Sequence, residues 1–298
     1  MLTALAASAH ALHAQQTPSA PVVRAGTTEI ALGGRVHTQF NTTTAEGVPA
    51  SEMVLRRVRL EANVKVNELV SGRVHMEFAG NRAAVRDAHL RLAFDPALQL
   101  IAGQAQRPFG ILTQTTSNRI LPIERGVRIR GVADAFDQHN LVADLGYADR
   151  DVGLQVTGAP RGAPLGVFYA AGYFNGPARN PRLTENTSQL VARAGVRPLR
   201  GVAVAGSWSR RDFVRTDTIA RATTTRGGTA WAVDAEVGGF APGVHLLGEA
   251  SFGDFDPFSG TRFRGAQGWL AYRTPALRSR IQHVEPVLRV SYGDPDTR

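Results

Sequence analysis

Arginine is the side chain whose type and spacing stand out in this chain. Lys65 is the only lysine, so guanidinium groups carry nearly all the positive charge behind a net +9. A guanidinium grips an oxyanion through two parallel N–H donors, where an ammonium acts as a point charge. That chemistry suits an anion conduit, a nucleic-acid binder or a membrane-surface protein, and net charge does not choose among them. Position narrows the choice. Arg35, Arg57, Arg59, Arg73 and Arg91 all stand at alternate positions in runs whose intervening residues are apolar.

Alternation of that kind is the mark of a strand, because successive side chains point to opposite faces. Val58, Leu60, Ala62, Val64 and Val66 alternate with Arg57, Arg59, Glu61, Asn63 and Lys65. The same pattern sets Ile30, Leu32, Val36 and Phe40 against Arg35, His37, Gln39 and Asn41. Val74, Met76 and Phe78 oppose Arg73, His75 and Glu77, and Leu90 and Leu92 oppose His89 and Arg91. Weaker runs continue to Ile281–Tyr292, giving about thirteen strands. No apolar stretch approaches the roughly 18 residues a spanning helix needs. The reading is all-β: an antiparallel transmembrane β-barrel, greasy outside and polar inside.

The connections support a barrel over a soluble sandwich, since outer-membrane barrels alternate short turns with long loops. Short ones hold Asn67-Glu68, Asp95-Pro96-Ala97, Pro198-Leu199-Arg200, Ala241-Pro242-Gly243 and Thr274-Pro275-Ala276. Long ones are Thr42–Glu52, Asn175–Ser188, Arg210–Gly227 and Gly253–Arg262. The longest, Ala105 to Arg150, is the natural segment to fold inward and narrow a pore. Arg107, Glu124, Arg125 and Arg128 are its candidate constriction residues.

Residues 1–14 read as a signal peptide without its positive n-region, 15–27 as a linker, and 28–298 as the barrel domain. The strand count is odd and the chain ends in Gly293-Asp294-Pro295-Asp296-Thr297-Arg298, which has external-loop chemistry. A bacterial barrel closes on an even number. The expectation is therefore that C-terminal strands are missing.

Other chemistries find little footing. His37, His75 and His89 share the inward face, but without metal-ligand spacing or a carboxylate cluster they read as water-facing residues. Asp254, Asp256, Asp294 and Asp296 read as turn formers rather than calcium ligands. No hydrolase nucleophile motif or phosphate-cradling glycine loop is present, so neither an enzyme nor a cofactor is expected.

At Arg56-Arg57-Val58-Arg59-Leu60, Gly103-Gln104-Ala105-Gln106-Arg107-Pro108-Phe109-Gly110, Pro122-Ile123-Glu124-Arg125 and Glu285-Pro286-Val287-Leu288-Arg289 the chain resembles the phosphate- and polyphosphate-selective porins. The resemblance covers about Gly33 to the end. It implies a barrel of about sixteen strands, a homotrimer, arginines on the inner wall, a constricting third loop and a terminal aromatic residue where this chain has Arg298. The expected partners are small anions, phosphate or polyphosphate among them, and the lipid bilayer of the cell outer membrane, with no nucleic acid.

The arginines also admit a plainer role, pairing with Glu61, Glu77, Asp87 and Glu124 as a neutral network that stiffens the wall. Two functions of other classes stay open at this point: a plugged structural or adhesive barrel, and a soluble basic β-protein that binds nucleic acid or polysaccharide.

Overall fold

The computed structural model describes residues 21–42, 51–117, 119–122, 124–126, 137–176, 186–217, 219, 222–277 and 281–297. Its strands run β1 Val22–Ala25, β2 Thr28–Thr42, β3 Ser51–Lys65, β4 Val70–Glu77, β5 Ala84–Asp95, β6 Leu98–Gln106 and β7 Arg150–Gly158. They continue β8 Phe168–Phe174, β9 Gln189–Leu199, β10 Val202–Asp217, β11 Ala222–Val237, β12 Gly243–Asp256, β13 Thr261–Arg273 and β14 Val287–Thr297. They form one 14-stranded sheet in strict sequence order, every neighbouring pair antiparallel. This is the all-β, up-and-down fold that the alternation predicts.

Three boundaries differ from the sequence reading. The extra strand is β1, which lies in the segment read as a linker; at four residues it is too short to display alternation, and its pairing with Thr28–Ala31 reveals it. Arg210–Gly227 is not a long loop: β10 and β11 stay paired out to Asp217 and Ala222. The stretch is polar and threonine-rich, so the apolar signal fades while the hydrogen-bond ladder goes on. Likewise β14 holds Gly293 to Thr297 instead of ending at Tyr292, and it begins only after Pro286.

The outward face is apolar and unpaired. Leu60 on β3, Leu90 on β5, Val233 on β11 and Leu288 on β14 are 57–64% exposed. Arg59, Asp87 and Asp234 on three of these strands, and His245 on β12, are buried on the inner side. Surface of this kind is stable only against lipid. Trp208 and Trp231 pair across β10 and β11 with ring centroids 6.3 Å apart, and Trp231, Phe40, Tyr272 and Tyr292 are exposed.

The core lies inside the sheet. The chain between β6 and β7 folds inward, carrying α1 (Ile111–Gln114) and α2 (Gln138–Asp144), and α2 packs against β12, β13 and β14. Phe109, Leu141, Val142, Tyr147 and Ala148 are buried against Phe174, Val191, Ala230, Ala232 and Phe263 of the wall. Ile111 and Leu112 pack with Leu247 and Trp269. This wall is lined with small or neutral side chains, Ser207, Ser209, Ala230, Ala232 and Ser251, which leave room for the segment.

Candidate functional site

The inward segment is clamped where it leaves and rejoins the sheet. Arg107 is wholly buried; it donates to the carbonyls of Ala148 and Asp149 and to Gln189 Oε1, and lies 3.6 Å from the Asp151 carboxylate. A candidate for the constriction thus sits in the base of the loop. Tyr147 stacks on Phe109 at 6.4 Å, and its hydroxyl donates to Asp254 O at 2.9 Å. Burial and the Asp254 carboxylate push that phenol above its usual range.

Both limbs then meet one carboxylate. Glu249 of β12 accepts from the Leu112 N–H at 2.9 Å and from Gln138 Nε2 at 2.5 Å. Gly110, at φ 66°, brings the backbone so close that a Cβ there would lie 2.5 Å from that carboxylate, so the position requires glycine. Asp137 caps α2 by accepting from the Asn140 N–H at 2.8 Å.

From α1 the chain runs as a strip across the lumen to the arginine wall. Arg35 and Arg59 donate to Ser117 Oγ at 2.7 and 2.6 Å. Arg56 Nε and Arg57 donate to the two oxygens of Glu124 at 2.5 and 2.7 Å. On the other side Arg289 of β14 donates to Glu124 O at 2.7 Å, and Gln267 of β13 to Arg125 O at 2.5 Å. Arg125 donates to Thr115 O. Burial, together with Arg150, Arg57 and Arg59, lowers the Arg125 guanidinium to about 10, which leaves it charged at neutral pH. Arg35, Arg56, Arg57, Arg59, Arg125 and Arg289 thus meet at this strip; Glu77 and Glu124 are bonded to them, while Glu61, Asp149 and Asp137 act at longer range on Arg35, Arg125 and Arg289.

Elsewhere on the wall the pairing is closer to balanced. Arg59 is also bound to Glu77, Arg73 holds Glu61 at 2.5 Å, and Asp87 accepts from Arg150 at 2.7 Å while lying 2.8 Å from His75 Nδ1. The Arg91 side chain has no hydrogen bond or ion pair among the described residues; with Lys65, Arg73 and His89 it lines a cavity of about 390 Å³ near the β3–β4 turn. Arg128 lies outside the described residues, as does the 1–14 segment. Among the described residues no group of three His, Cys, Asp or Glu converges as metal ligands.

Arg56, Ser117, Glu249 and Arg289 are site residues that sequence reasoning did not nominate. Arg56 had a readable signal. The partners of β3 shift between His37–Arg57 and Thr38–Leu55, so Arg56 is the extra residue of a bulge and shares the inward face with Arg57. In sequence the apolar positions run Met53, Leu55, then Val58, Leu60, a change of parity at that point. Ser117, Glu249 and Arg289 left no such trace, because each acts through a partner more than fifty residues away.

Comparison with solved structures gives the fold. The outer membrane channel DcaP of Acinetobacter baumannii superposes with a TM-score of 0.57 at 12% identity, over 90% of this chain and 79% of that one. The outer-membrane-expressed OmpT of Vibrio cholerae gives 0.52 at 12% identity, over 93% and 80%. Comparison with curated proteins finds no match. The model of phosphate-selective porin O and P matches residues 30–229, two thirds of the sequence and the part that holds the arginine wall and the inward segment. An inward-folded segment inside a lipid-facing sheet, joined to that match, makes this chain an outer-membrane porin of the phosphate-selective porin O and P family.

Proposed function

We propose that the chain passes small anions, phosphate included, by passive diffusion through a lumen whose narrowest part is the strip from Ser117 to Arg125. Arg35, Arg57, Arg59, Arg73 and Arg91 line it, and Arg56, Arg125 and Arg289 join them. The observation that carries this reading is the excess of arginine over carboxylate at the strip. A low-dielectric wall focuses such a net charge onto the ion's path. A homotrimer is part of the proposal, resting on the family likeness.

The test is the zero-current potential across a planar bilayer under a KCl gradient. Chloride should be more permeant than potassium, and Arg57→Glu with Arg59→Glu should lower or reverse that preference. An unchanged potential in the double variant would remove both residues from the selectivity assignment. A second reading, a plugged structural barrel, draws on the strip's bonds to both walls. Folded protein that inserts but conducts nothing would favour it.

A further inference from the structure

Cations on the opposite wall take no part in the strip's pairing. On β9, Arg193 is held by Asp234. Arg197, four residues on and also inward, has its guanidinium 4.1 Å from the centroid of the Phe168 ring. Arg119, two residues past Ser117 in the strip, lies 5.4 Å from the Phe240 ring. Arg273 fixes Phe240 in turn, stacking at 5.5 Å and donating to its carbonyl at 2.7 Å.

Arg119 and Arg197 line one cavity of about 520 Å³, together with Arg200 and Glu236. Neither has a side-chain hydrogen bond or ion pair among the described residues. The one carboxylate in the cavity, Glu236, lies 2.9 Å from His245 Nε2 and faces Arg119 and Arg197 at longer range, one negative charge against two guanidiniums. A ring under the flat face of a guanidinium orients it and leaves its N–H edge available. Two guanidiniums held this way, one from the loop and one from the wall, present donors to the same space.

We infer that this cavity is a second oxyanion station, taking inorganic phosphate in series with the strip. The inference rests on the anion-pore reading but names a different place. Arg119 is no more than about 7 Å along the chain from Ser117, which Arg35 and Arg59 hold, so an anion passes from one cluster to the next without a long bare interval. The cavity opens beside the β9–β10 and β11–β12 turns, which makes the two sides of the pore unequal.

The experiment measures block of chloride current by inorganic phosphate added to each chamber in turn. In the unaltered protein, phosphate from the short-turn side should block more strongly. In the Arg119→Gln, Arg197→Gln double variant that block should weaken by about five- to tenfold, while block from the loop side stays and the zero-current potential keeps its sign. Arg197→Lys, which keeps the charge without the planar donor pair, should recover only part of the loss. Symmetric block in the unaltered protein, equal block in the double variant, or full recovery with lysine would overturn the station. Absence of anion preference in the unaltered protein would overturn the pore reading itself.

Discussion

The β2–β5 wall and the β9–β13 wall obey the same outward rule and opposite inward ones. Outside, both present bare apolar columns, Leu60 and Leu90 on one and Val233 and Leu270 on the other. Inside, the first carries Arg35, Arg57, Arg59 and Arg73 with carboxylates set among them. The second carries Ala230, Ala232, Ser207, Ser209 and Ser251 beneath the inward segment. Lipid fixes the outer column everywhere; the inner column is fixed by what it meets, water and ions on one side and packed protein on the other. One sheet therefore serves as both channel lining and docking floor.

The largest test of this contrast removes an anchor from the docking floor. Phe109→Ala empties a fully buried site between Tyr147 and the wall, and should cost about 3–5 kcal/mol of loop docking. Limited proteolysis should cut inside residues 107–149 at rates well above those of the unaltered protein, while the sheet resists. Equal resistance in both proteins would show that the floor does not hold the segment.

Next comes parity on the arginine wall. Leu60→Arg places beside Arg59 the same side chain facing lipid, and should lower barrel stability by about 2–4 kcal/mol, read from denaturant unfolding in lipid. A cost near zero would mean that β3 does not lie in the membrane as described.

The smallest effect is expected at the strip. Glu124→Gln removes the carboxylate that Arg56 and Arg57 share, and should raise the chloride-to-potassium permeability ratio, by roughly twofold. A lowered ratio would mean that the carboxylate positions the arginines and that their placement outweighs their number.

The sequence showed one wall more clearly than the other for a physical reason. On β2 to β5 the inner residues are charged, so polarity alternates along a single strand and can be read from neighbours. On β9 to β13 the inner residues beneath the segment include the small, neutral Ser207, Ser209, Ala230, Ala232 and Ser251, shaped to fit Phe109, Leu141 and Tyr147, far away in the chain. Arg107 illustrates the same limit from the loop. Its type suggested the pore, and only the fold shows its donors consumed at the loop base by Ala148, Asp149 and Gln189. The bulge at Arg56 lies between these cases, visible as a break in parity to a reader who expects strands to carry extra residues.

Strict sequence order in the sheet has a consequence for how the molecule is assembled. Each strand finds its partner in the strand just before it, so pairing can proceed by local addition. The inward segment cannot follow that schedule. Gly110 waits for Ser207, Leu112 for Glu249 and Gln138 for Ser291, residues 97, 137 and 153 positions later. Until those strands arrive, the greasy side of the segment has nothing to lie against, and it is the part of the chain most in need of a periplasmic escort. Its docking therefore waits for β14, and the lumen takes its final shape only after most of the sheet is in place.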